Sequence, residues 1–145
     1  MAQTSIRHAI LAAIAAVLLA PALSAQAFSC PATLTVTEQP QGPAGWTGPA
    51  VKSEHAFQTA SILNGTPGKE EYDLRPDDEA TKGKTALMTW DLKAYRTMPL
   101  FVRCHYFDTK ATVTATIPAS VAKCTVTIEM TANGTIVGKS TMKCQ

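Results

Sequence analysis

The chain has 145 residues, with 13 basic and 11 acidic side chains and a formal net charge of +2. That balance leaves no electrostatic footprint for DNA, RNA or an anionic membrane surface, so nucleic acid is excluded as a partner. Four cysteines, all behind residue 27, point instead to a small exported domain that folds in an oxidising compartment.

Residues 1–27 run from a short start with Arg7, through the apolar stretch Ala9 to Leu19, to Ala25-Gln26-Ala27. This is the pattern of a secretory signal peptide cleaved after Ala27. Removing 27 of 145 residues leaves 118, residues 28–145, which suits a single domain. Losing Arg7 leaves 12 basic against 11 acidic residues, a net charge of +1. No second apolar run approaches the ~20 residues that cross a bilayer, so no membrane anchor is expected after cleavage. The Ala-rich signal core looks bacterial, and the expected location is the periplasm, or secretion beyond it.

Behind Cys30-Pro31, Thr33 to Thr37 alternates Leu34 and Val36 with threonines and reads as a first strand. Gln39 to Pro49 is broken by Pro40, Gly42, Pro43, Gly45, Gly48 and Pro49, which makes it a loop, with Trp46 expected to tuck onto the core. His55 to Leu63 reads as a second strand closed by Asn64-Gly65. Thr66 and Pro67, followed by Glu70 and Glu71, predict a short helix to about Leu74, ended by Arg75-Pro76. Asp77 to Lys84 is the most polar segment and reads as a mobile loop. Beyond it the pattern is β. Ala86, Met88, Trp90 and Leu92 share one face, and Leu100, Val102, Cys104 and Tyr106 repeat the arrangement. Ala111 to Ile117 alternates with threonines, and Cys124 to Met130 faces Ile136 to Cys144 across Asn133-Gly134. The C-terminal half is expected to be an antiparallel meander.

The cysteine pairing follows from strand parity. Cys124 and Cys144 lie on the apolar face, and a three-residue turn centred on Gly134 sets them directly opposite. With Gly134 in the last turn position they become diagonal neighbours, and the bridge needs a bulge. In a meander Cys104 and Cys124 are separated by two strand spacings, about 9.6 Å, beyond the ~7 Å limit between bridged Cα atoms. Cys30 is then left for Cys104, closing a loop of about 75 residues worth roughly 4 kcal/mol.

Catalytic and metal chemistry find no foothold. There is no Cys-x-x-Cys or His-x-x-x-His, and only His55 and His105 follow the signal, so no metal or other cofactor is expected. No Gly-x-Ser-x-Gly elbow is present and the thiols are expected to be spent in disulfides. Glu70, Glu71, Asp73, Asp77, Asp78 and Glu79 are bunched as a solvated surface, better suited to meeting a basic partner than to paired-carboxylate hydrolysis. Arg103 and His105 share the outer face of their strand and form the other candidate partner surface.

Cys30-Pro31, Pro43-Ala44-Gly45-Trp46, Leu74-Arg75-Pro76, Trp90, Cys104-His105-Tyr106, Ile117-Pro118, Cys124-Thr125-Val126 and Cys144 together make a recognisable series. It resembles an uncharacterised family of small secreted Gram-negative proteins known only by an enterobacterial "STY" locus label. Members usually carry an aromatic residue two places before the third-last cysteine, where this chain has Val102. The resemblance implies a periplasmic, disulfide-bonded protein with no assigned activity, and carries over no catalytic residues.

The expected fold is mainly β, an antiparallel meander sheet or small sandwich with one or two short helices and two disulfides. The expected role is non-enzymatic binding of a protein partner in the periplasm, as an inhibitor or immunity-type factor against a cell-wall-acting enzyme. A structural or accessory envelope protein that self-associates through an edge strand is the alternative.

Overall fold

A computed structural model describes residues 28–69, 71–137 and 140–145; the expected signal peptide and Glu70 lie outside them. Nine strands are present among the described residues: β1 Thr33–Glu38, β2 Val51–Gly65, β3 Glu71–Leu74, β4 Asp78–Lys82, β5 Thr85–Asp91, β6 Leu100–Tyr106, β7 Thr112–Thr116, β8 Lys123–Glu129 and β9 Thr141–Cys144. They form two antiparallel sheets. The first runs β1-β2-β6-β7, with β3 also on β2; the second runs β4-β5-β8-β9.

The expected mainly β fold is therefore present, as two sheets and not as one continuous meander. Strand β5 pairs with β8, Trp90 opposite Cys124, and not with β6. Alternation specifies which face of a strand is buried and is silent on which strand lies beside it. Two devices carry the chain between sheets. Asp91 caps a 3-10 turn, Leu92–Tyr95, its Oδ1 accepting from the Lys93 N–H at 3.0 Å. Later Pro118 C=O accepts from Val121 N–H at 2.9 Å, turning the chain into β8.

Three further expectations are corrected. Among the described residues of 66–74 none is helical: Gly68, at φ 76°, breaks the run that Thr66-Pro67 opens, and Glu71–Leu74 folds back along β2 with Gly65 opposite Glu71. Asp77 to Lys84 is not a mobile loop, because β4 pairs with β5 from Asp78–Thr89 to Lys82–Thr85 around Gly83 at φ 61°. Its polarity is that of a fully exposed edge strand, where charge discourages stray pairing. Trp46 is 75% exposed. Its loop closes on itself, through Gln39 Nε2 donating to Gly48 C=O at 2.7 Å and Trp46 N–H donating to Pro43 C=O at 2.9 Å, which holds the ring away from the core.

The core lies between the sheets. Phe57, Ile62, Val102 and Tyr106 meet Trp90, Val126, Ile128 and Met142, and Phe57 and Tyr106 pack edge to face at 6.1 Å. Cys30 is bonded to Cys104 and Cys124 to Cys144, and no cysteine is free. Cys104 and Cys124 sit in different sheets, so the separation that keeps them apart is not the intervening strand of a meander. Around Asn133 the ladder pairs Met130 with Ile136, with Gly134 in the last turn position, yet Cys124 stands opposite Cys144 with Cα atoms 4.1 Å apart. The register advances by two residues between Val137 and Thr141. The first described residues tie the sheets together: Phe28 C=O accepts from Cys144 N–H at 2.9 Å, while Cys30 is bonded to Cys104 of the other sheet.

Candidate functional site

On β6 the even positions Leu100, Val102, Cys104 and Tyr106 are buried toward the core, which sends Arg103 and His105 to the opposite face. Across the ladder they meet Ser61 and Thr59 of β2, and β3 adds Glu71 and Asp73 opposite Gly65 and Leu63. Four of the sequence-nominated residues, Glu71, Asp73, Arg103 and His105, thus share one face of the first sheet.

Glu71 organises one end. Its Oε2 lies 2.5 Å from Arg103 Nη2, and its Oε1 accepts from Gly68 N–H at 2.6 Å. The Arg103 guanidinium, and then the Gly68 N–H, hold the Glu71 carboxyl below the ordinary glutamate range. At the other end His105 Nε2 lies 3.5 Å from Ser61 Oγ. Burial pushes the His105 imidazole down, the Arg103 charge acts in the same direction, and Asp73 partly offsets both. The face therefore presents the Glu71–Arg103 ion pair, an imidazole biased toward its neutral form and the exposed Asp73 side chain.

Asp77 and Asp78 do not join this face. Asp77 Oδ2 accepts from Asp91 N–H at 2.6 Å and its own N–H donates to Thr89 C=O at 2.8 Å, which pins the start of the β4 edge. Asp78 is exposed on that edge opposite Thr89. Glu70 lies outside the described residues.

A cleft of about 460 Å³ opens where the two sheets part, lined among others by Asp73, Leu74, Glu79, Met88, Trp90 and His105. Trp90 forms its inner wall and donates its indole N–H to Leu74 C=O at 2.8 Å, joining β5 to the end of β3. Gln58 to Ser61 of β2 form its floor, and no reading of composition or alternation singles these residues out. Among the described residues, no group of three or more His, Cys, Asp or Glu could hold a metal ion. His55 is occupied structurally: Nδ1–H donates to Phe107 C=O and Nε2 accepts from the Ser53 hydroxyl, both at 2.8 Å. What the geometry offers is recognition, through a polar face beside an apolar-walled cleft.

Residues 52–145 match the family described as Type VI secretion system Tli immunity protein. An Azospirillum brasilense protein, described as an uncharacterised 16.3 kDa protein in the trpG 5′ region, is 34% identical over 124 residues, 82% of each chain. No solved structure matches. The matched segment holds nearly all of β2 and every later strand, including the polar face and the cleft. This chain belongs to the type VI secretion system Tli immunity protein family.

Proposed function

We propose that this protein binds a toxin delivered by a type VI secretion system and blocks it in the periplasm, using the face that carries Glu71, Asp73, Arg103 and His105 and the adjoining cleft. The match over residues 52–145 carries this reading, because that segment contains the whole of the face. Two disulfides support a compartment outside the reducing cytosol. A stable interface of this kind covers about 800 Å² on each partner, more than the cleft alone supplies. The resemblance to the "STY" group is compatible with this role and adds no residue to it.

The test is rescue. Each type VI effector of the source genome, fitted with an export signal, is co-expressed with this protein in a laboratory bacterium. Survival against one effector, lost when this protein is expressed without its signal, is the expected result. Release of cell-wall fragments in the unprotected cells would identify a wall-acting target. Growth arrest by every effector despite abundant oxidised protein would overturn the proposal.

A further inference from the structure

The fifteen residues of β2 use their two edges unequally. On one edge β6 runs beside Phe57 to Asn64. On the other, β1 takes Val51 to Ala56, Phe57 N–H donates to Ala32 C=O at 2.8 Å just before β1, and β3 takes Ile62 to Gly65, which leaves Gln58 to Ser61 with no strand alongside. That gap is four residues, about 14 Å at ~3.4 Å per residue.

The direction of the backbone groups in the gap follows from the bonds around it. Phe107 N–H donates to Ala56 C=O at 3.0 Å, and Leu100 C=O accepts from Ile117 N–H at 2.9 Å on the β7 side. By alternation Phe101, Arg103 and His105 turn their backbone groups toward β2, where Leu63, Ser61 and Thr59 meet them. Ala60, between Thr59 and Ser61, must then point its N–H and C=O away from β6, into the gap. Ala60 is only 5% exposed, so these two groups have little water and no strand opposite. The chain cannot fill the gap itself. Strand β3 heads straight along it, but Pro76 follows Arg75 and lacks the N–H a continuing strand would need, while the Trp90 indole holds Leu74 C=O.

We propose that an extended segment of the toxin inserts here as an added strand, completing a continuous edge from β3 to β1, with a basic side chain over Asp73 and Glu79. This rests on the immunity reading above. The unpaired backbone of Ala60 asks for extended chain, and the apolar wall of Leu74, Met88 and Trp90 takes its inward side chains. The rim supplies the charge preference: Asp73 and Glu79 line the cleft with Arg75 and the charge-disfavoured His105, while Arg103 is already paired with Glu71. A second copy of this chain fits less well, because edge strands β1 and β4 are net acidic, β7 is uncharged, and the basic edge β9, with Lys143, is already bridged at Cys144 by Phe28.

The effector selected by rescue is the probe. Amide hydrogen exchange on the wild-type protein, with and without it, requires no variant to fold. The Ala60 amide should exchange at least about tenfold more slowly in the complex, and the double variant Asp73→Lys, Glu79→Lys should bind roughly tenfold or more weakly. Ala60→Pro, which removes the N–H facing the gap and none facing β6, should weaken binding similarly. Full-affinity binding by the charge-reversed variant, with Ala60 exchange unchanged, would overturn the added strand and leave the immunity reading intact. Protection of Ala60 that grows with concentration in the protein alone would assign the gap to a second copy and also overturn it. Failure of the wild type to bind any effector would overturn both.

Discussion

Two stretches of this chain carry the same triplet, Asn64-Gly65-Thr66 and Asn133-Gly134-Thr135, and both lead one strand back along another. Around the second, the strands are recognisable from sequence because both sides alternate toward the core, Cys124, Val126 and Ile128 against Met142 and Cys144. Around the first, the returning strand β3 is four residues long and half charged, and β4 after it is wholly exposed. Turn chemistry is alike in the two places. What differs is burial, and the comparison teaches that a short strand lying on a sheet edge carries no periodic signal even when its hairpin is local. The same lack of buried alternation leaves these strands' polar side chains free to form a surface.

The largest expected effect comes from cutting the tie between the two regimes. Trp90 belongs to the buried sheet and holds the end of the edge strand β3 through Leu74 C=O. Trp90→Ala should cost about 3–5 kcal/mol, while Trp90→Phe, which keeps the bulk and loses the bond, should cost about 1 kcal/mol. Denaturant midpoints check both, and a Trp90→Ala loss under about 1 kcal/mol would mean that the tie does not join the two regions.

Next in size are the disulfides. Replacing Cys124 and Cys144 together by Ala shortens no strand but releases a loop of 20 residues, worth about 3 kcal/mol. Releasing Cys30–Cys104, with a separation of 74, should cost about 4 kcal/mol, and the gap between the two double variants measures how far the first described residues clamp the sheets. Thermal unfolding with and without reductant gives the same comparison without mutation.

The smallest effect tests the edge region alone. Because the Glu71 carboxyl is held below its ordinary range, its contribution is complete above that range and is lost as pH falls through the depressed folded value. Glu71→Gln should therefore flatten the decline in melting temperature with acidification, leaving the value at neutral pH only slightly lower. An unchanged acid slope would show that the Arg103 pair does not hold β3 in solution.

Much of the fold was legible. The alternation of Leu100, Val102, Cys104 and Tyr106, and that of Cys124, Val126 and Ile128, marked strands whose core faces the structure shows. Parity also led to the two cysteine pairs that the structure joins, although the meander used to separate Cys104 from Cys124 was the wrong topology. Strand order was not legible, because sheet switching at Asp91 and Pro118 depends on long-range pairing. The candidate face was half legible. Acidic residues near 71–73 and the pair Arg103 and His105 stood out as separate surfaces, and only the return of β3 along β2 makes them one. The gap at Ala60 left no trace at all, since it is the absence of a neighbour. Trp46 misled because a large apolar side chain says nothing about whether its loop closes inward.

The most direct test of the account is titration of the rescued effector's toxic activity with purified, oxidised protein comprising residues 28–145. Inhibition complete at one molecule per effector, with a co-migrating complex, is the result predicted for an immunity protein acting through this surface. Undiminished activity in the presence of a large excess would contradict it.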